Sequence, residues 1–206
     1  MKVRIVAAIL ALFSFSLLAG FTTKSNLVTT NNLQEAFKGE STASAKYAAY
    51  AKKAQEEGYT NIAKLFQAAS KSESIHAGNH KAVLEQLGVN VDKVNPKFEV
   101  KSTKENLQDA IKGESYEVAT MYPDFLKKAG EENATLASIS FNYAYQTEQK
   151  HKVFYQDALD KLNAGKASEV ASTYYVCPTC GNTYENKADK RCGISMTSSE
   201  KFIKIN

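Results

Sequence analysis

The chain has 206 residues, enough for one good-sized domain and a small second one, and its hydrophobic content of 43% is ordinary. Its 26 Lys+Arg against 22 Asp+Glu give a formal charge of +4 with no basic stripe, which gives no footing for a nucleic-acid partner. All three cysteines, Cys177, Cys180 and Cys192, fall in the last thirty residues, so they argue for a local site and against a disulfide framework.

Residues 1–20 carry Lys2 and Arg4, then an apolar run from Ile5 through Ala19 broken only by Ser14 and Ser16, and end on small residues. These are the regions of a secretory signal, and the run is short for a spanning helix. An exported protein, periplasmic or otherwise extracytoplasmic, is expected. An uncleaved anchor is the alternative, because Leu18-Ala19-Gly20-Phe21 departs from an ideal cleavage site.

A Thr/Asn-rich spacer over 21–31 leads to Asn32, which with Glu35 makes a capping box for a first helix running to Gly58. Asn61 is placed to cap a second helix, ending at Gly88, that carries Glu73, His76 and His80. The short turn between them makes an antiparallel hairpin. Residues 89–101 form a connection in which Pro96 bars helix. Ser102 and Glu105 then cap a third helix to about Ala129, with a kink or local break expected near Ala119 to Tyr122 because of Pro123. Asn133 is read as the cap of a fourth helix that fades at Gly165. Residues 32–165 thus make a four-helix bundle, 166–173 a linker, and 174–206 a small β module around Cys177-Pro178-Thr179-Cys180-Gly181.

The bundle is an internal repeat. Lys38-Gly39-Glu40-Ser41 returns as Lys112-Gly113-Glu114-Ser115, 74 positions on, and Glu73-x-x-His76 returns as Glu148-x-x-His151, 75 positions on. Residues at equal depth in a hairpin are symmetric about its turn. Glu40 and Glu73 centre on 56.5, beside the turn at 58–60; Glu114 and Glu148 centre on 131, in the turn at 130–133. Both pairs lie roughly 25 Å from their turns at about 1.5 Å per residue. A layer of Glu40, Glu73, Glu114, Glu117 and Glu148 inside a bundle cannot stay ionised without cations. Two divalent metals resolve this, and a Glu from each of two helices with Glu-x-x-His from each of the others is the ligand set of ferritin-like di-iron carboxylate proteins. Oxygen and imidazole donors with open positions suit iron or manganese.

In the order of these motifs, with the extra acid Glu117 and the C-terminal Cys-Pro-x-Cys-Gly, residues 32–206 resemble the rubrerythrin family. The resemblance implies a mainly α fold, a ferritin-like four-helix bundle followed by a rubredoxin-like metal knuckle. It implies a peroxidase that reduces hydrogen peroxide at two Fe ions, with electrons fed by the rubredoxin-like module. Carried across, Glu40, Glu73, His76, Glu114, Glu117, Glu148 and His151 are the ligands, with Glu114 and Glu148 as bridges. One iron is implied to exchange His76 in the reduced state for Glu117 in the oxidised state. Iron storage or ferroxidase activity without peroxidase turnover is the alternative, and Glu117 is the residue that favours the peroxidase. A homodimer is also implied, with the module of one chain near the bundle of the other.

Tyr47 and Tyr122 are implied hydrogen-bond donors near the metals; core aromatics with satisfied hydroxyls is the other reading. His80, one turn beyond His76, reads as a polar residue near the bundle interior or surface, with a spare ligand as the alternative. In the module, Ser195 stands where the resemblance requires a fourth thiolate. Three outcomes stay open: a mononuclear Fe or Zn held by Cys177, Cys180, Cys192 and Ser195; a disulfide from Cys177 to Cys180 or Cys192; or an empty module whose peroxidase takes electrons from an unknown external donor.

Overall fold

The computed structural model describes residues 27–206. The expected signal segment, 1–20, lies outside the described residues. Among those described, no helix is long and apolar enough to cross a membrane. The helices are α1 (Leu27–Glu56), α2 (Thr60–Gln86), α3 (Thr103–Tyr116), α4 (Tyr122–Glu131) and α5 (Thr135–Asn163), with a π-helical turn, Glu117–Met121, joining α3 to α4. With α3 and α4 as one interrupted rod, they form a ferritin-like four-helix bundle.

Helix α1 starts at Leu27, not Asn32, and takes in half of the expected spacer. The Glu132 carboxylate accepts a hydrogen bond from the Thr29 N–H at 3.1 Å, and an acid at a helix N-terminus is favourable. Asn61 does not cap α2. Its side-chain amide instead donates to the carbonyls of Ser168 and Val170 at 2.9 and 2.8 Å, tying the linker to the bundle. Asn133 does not cap α5 either; it sits at φ 55°, the left-handed position just past α4, and Ala134 precedes the helix. The capping box of Ser102 and Glu105 forms as the spacing requires.

Pro123 explains the π-helical turn. It lacks the N–H that would bond the carbonyl of Ala119, and the Tyr122 N–H reaches back five residues to Glu117. The disturbance falls on the stretch that carries Glu117 and Tyr122.

Two apolar clusters bracket the middle of the bundle. One gathers Tyr47, Phe66, Leu107 and Tyr155; the other gathers Leu33, Leu84, Tyr122, Phe125 and Phe141. At roughly 1.5–3 kcal/mol for each large side chain buried, these clusters offset the cost of a polar layer between them. On α1 and α2, Ser44 and Ser70 hydrogen-bond each other's carbonyls at 2.9 and 2.8 Å, so small residues bring these helices close.

The C-terminal module is a three-stranded antiparallel sheet in the order β2-β1-β3, with β1 (Tyr174–Val176), β2 (Thr183–Glu185) and β3 (Ile203–Ile205). Tyr174 pairs with Glu185 and Ile205. Tyr174 and Val176 are fully buried in the same cluster as Phe66 and Tyr155, so the module packs on the bundle of its own chain.

Candidate metal centre

Between the two apolar clusters, two groups of donors converge. Glu40, Glu73, His76 and Glu148 form one; Glu73, Glu114, Glu148 and His151 form the other. All six residues are at most 2% exposed. Glu73 and Glu148 belong to both groups, so these two acids are the ones placed to bridge. The expectation of Glu114 and Glu148 as bridges is corrected: Glu114 serves the His151 side alone. Equal depth along the rods could not settle this, because bridging depends on which way each helix face turns.

The closest approaches are short. His76 Nδ1 lies 2.8 Å from Glu148, 3.0 Å from Glu73 and 3.8 Å from Glu40; His151 Nδ1 lies 2.7 Å from Glu148 and 3.2 Å from Glu73. Yet both Nδ1 atoms, both carboxylate oxygens of Glu73 and of Glu148, and Glu40 Oε2 lack a hydrogen-bond partner of acceptable geometry. Buried polar atoms are rarely left so. Their convergence fits a pair of metal ions.

The far side of each imidazole fixes its tautomer. His76 Nε2 lies 3.0 Å from the Cys180 carbonyl, which only accepts, so Nε2 carries the proton. His151 Nε2 lies 2.9 Å from Thr183 Oγ1, which itself donates to the Gly181 carbonyl, so this Nε2 also donates. Each Nδ1 is thereby left to face the acids, the orientation a ligand requires. Both contacts come from the cysteine module, and no spacing within the bundle could have revealed them.

Charge in the layer is unevenly shared. Burial lifts the Glu40 carboxyl to about 7, partly offset by His76. Burial, and then the neighbouring Glu148, push Glu114 well above the carboxylate range. Glu148 goes the other way: burial opposes its ionisation, but the charges of His76 and His151 overcome it and hold it at about 2. Burial would lower both histidines, yet the surrounding acids raise His151 to about 9 and hold His76 well above the usual imidazole range. Two divalent cations would replace these protons.

Glu117, on the π-helical turn, lies outside both donor groups and is half-buried. Burial and the charge of Glu40 raise its carboxyl well above the usual range. It shares the wall of a shallow cavity of about 420 Å³ with Gly39, Ala43, Tyr47 and Gly113. The glycines of the two Lys-Gly-Glu motifs thus flank an opening between α1 and α3 beside the donor layer.

Tyr47 donates to Glu114 at 2.8 Å, and Tyr122 donates to Glu40. Both hydroxyls are therefore spent on site acids. His80 is fully buried and belongs to neither donor group.

The module's own cluster is smaller. Cys177, Cys180 and Cys192 are free, buried and grouped at ligand distance. Cys180 Sγ lies 3.4 Å from Cys192 Sγ, and Ser195 Oγ lies 3.3 Å from Cys177 Sγ, so serine fills the fourth corner. Asn182 Nδ2 and the Ile194 N–H each approach Cys192 Sγ at 3.5 Å.

A bundle with two carboxylate-histidine groups sharing two acids defines a ferritin-like di-iron carboxylate protein. The rubrerythrin family model matches residues 31–159. Rubrerythrin-2 of Clostridium acetobutylicum is 35% identical over 178 residues, covering 86% of this chain and 96% of the relative. Nigerythrin of Nitratidesulfovibrio vulgaris is 33% identical, covering 84% and 85%. A solved nigerythrin in a mixed-valence state superposes with a TM-score of 0.78 at 33% identity, over 85% of this chain and 86% of that one. The chain belongs to the rubrerythrin family.

Proposed function

We propose that this chain is a di-iron peroxidase that reduces hydrogen peroxide to water, H2O2 + 2 e− + 2 H+ → 2 H2O. The carrying observation is the pair of donor groups sharing Glu73 and Glu148, with the additional acid Glu117 beside them at a solvent-facing cavity. Two ferrous ions held there would supply the two electrons that the reaction consumes. A solved nigerythrin described as fully reduced and all-ferrous, 31% identical to this chain, supports iron as the metal.

The chain's own residues do the rest. Glu40 and His76 would hold one ion, Glu114 and His151 the other, and Glu73 and Glu148, which belong to both groups, would serve the two together. Glu117, beside these donors at the cavity, would offer a further carboxylate in place of His76 on oxidation. The cavity between Gly39 and Gly113 admits a molecule as small as peroxide, and the apolar clusters on either side keep bulk water out. Tyr47 and Tyr122 hold the outer acids by hydrogen bonds.

Electrons enter through the cysteine module or from an external donor. The Cys180 carbonyl on His76 supports the module, while Ser195 at the fourth corner favours the external route. Export and a homodimer are part of the proposal, with the module kept on the bundle of its own chain; mass analysis of the mature N-terminus and of the native particle tests them. The reaction is tested with anaerobic, reduced protein. One equivalent of peroxide should remove the ferrous state quickly and oxygen much more slowly. Equal rates, or loading far beyond two irons per bundle, would point to storage or ferroxidase activity.

A further inference from the structure

His80 takes no part in either donor group, yet it is fully buried and fully engaged. Its Nδ1 lies 2.7 Å from Ser140 Oγ on α5, and its Nε2 lies 3.2 Å from the Tyr122 hydroxyl at the start of α4. Its ring packs against those of Phe141 and Tyr122, with centroids 5.5 and 6.2 Å away.

The proton positions follow from the partners. The Tyr122 hydroxyl spends its single hydrogen on Glu40, so towards His80 it can only accept. His80 Nε2 must therefore carry the ring proton, and Nδ1 must accept from the Ser140 hydroxyl. The imidazole is neutral, since its complete burial against Phe141 and Tyr122 disfavours the charged form. The result is a one-directional chain: Ser140 donates to His80, His80 to Tyr122, and Tyr122 to Glu40.

We infer that His80 is a positioning residue for the metal centre, holding the Tyr122 hydroxyl so that its proton points at Glu40. A phenol that accepts a hydrogen bond is a better donor, because bonds in a chain polarise one another. His80 thus governs how much of Glu40's negative charge is left for a metal. Behind the other outer acid the partner is a phenol and not an imidazole: Tyr47 donates to Glu114, and the ring beside it is that of buried Tyr155. The His80 chain acts on the position served by His76 and Glu40.

This inference rests on Glu40 being a metal ligand. Nitrogen NMR of the full zinc-loaded chain, with labelled histidine, should show His80 as the neutral Nε2–H tautomer; the Nδ1–H form would overturn the inference. In the iron-loaded protein, His80→Leu should change retention of the iron at the position served by His76 and Glu40 by about threefold to tenfold, below the effect of losing a direct partner of a ligand. His80→Gln, which restores an N–H near the Nε2 position, should recover most of that change. In a Tyr122→Phe background His80→Leu should have no further effect, whereas additive effects would overturn the inference. Because these readouts need no turnover, failure of peroxide reduction leaves them standing. Wild-type protein that retains no iron would end both readings.

Discussion

In the bundle, six donors come from α1, α2, α3 and α5, from Glu40 to His151, and meet because four rods pack around two apolar clusters. In the module, Cys177 and Ser195 bracket the whole donor set, and two short loops bring it together. The first arrangement is held by side-chain packing with or without metal. The second has little apolar core of its own and depends on what fills its centre or on what it docks against. The difference shows in what each region tolerates: the bundle keeps its complete donor set, while the module has Ser195 at the fourth corner yet still makes both contacts that orient His76 and His151.

The largest expected effect comes from removing an acid that both metal positions share. Glu148→Ala should lose most of the bundle iron and at least about 100-fold in peroxide reduction. Breaking a buried charge pair of this kind costs about 3–5 kcal/mol. Iron per chain and single-turnover rate measure it, and retention of both irons would show that Glu148 does not bridge.

Removing the metal should make the packed bundle sensitive to pH while leaving it folded. Glu40 is raised above its ordinary 4.5 to about 7, so the fold opposes its ionisation, and stability declines as pH rises from 4.5 through 7. His151 is raised from 6.5 to about 9, so its stabilising protonation is complete below 6.5 and lost as pH passes 9. These two act in one direction. His80, depressed from 6.5 to about 3, acts in the opposite sense below about pH 6.5, so the melting temperature of the apo protein should fall from about pH 7 to pH 9, and iron loading should flatten the curve. A rise over that range would contradict the charge distribution.

Thr183→Val tests the orienting contact from module to bundle, since it removes the hydroxyl that accepts from His151 Nε2. Loss of such a partner weakens metal binding by about 10–100-fold, and the loss should be confined to one of the two irons in a binding titration. The equivalent contact at His76 is a main-chain carbonyl, so it is reached through Gly181. A Cβ there would lie 2.4 Å from His76 Nε2 and 2.7 Å from Ser72 Oγ, at a φ of +78°. Gly181→Ala should lift the module from the bundle at a cost of about 1–3 kcal/mol in backbone strain alone. Faster amide exchange in β1 and β2, with α1 unchanged, would register it.

The same contrast governs what was readable from sequence. The donor layer was legible because helical rods convert spacing into depth, so Glu40 with Glu73 and Glu114 with Glu148 had to lie level. Depth carries no information about rotation, so it cannot tell that Glu73, and not the Glu114 implied by the resemblance, shares both donor groups with Glu148. Asn61 and Asn133 have the chemistry of caps, but tertiary demands claimed them, one for the linker and the other for a left-handed turn. Leu27 to Asn31 read as spacer because their helix is secured by Glu132, about a hundred positions away. Thr183 and the Cys180 carbonyl carry no local signal at all. They matter only because the module docks where it does.

The smallest effect on the bundle, and the sharpest test of the module, is Ser195→Cys. Ser195 Oγ already lies 3.3 Å from Cys177 Sγ, near the separation of two ligands on one tetrahedral metal, so a sulfur can enter with little rearrangement. Serine oxygen is a harder donor than thiolate, so the natural site should hold iron less tightly than a four-thiolate site. The substitution should raise mononuclear iron content and strengthen thiolate-to-iron absorption while bundle iron stays constant. If electrons enter through the module, the steady-state rate should change with it while the single-turnover rate does not, since only the supply step has been altered. An unchanged steady-state rate with a filled four-thiolate site would assign electron entry to an external donor and leave the module its other task, holding His76 and His151.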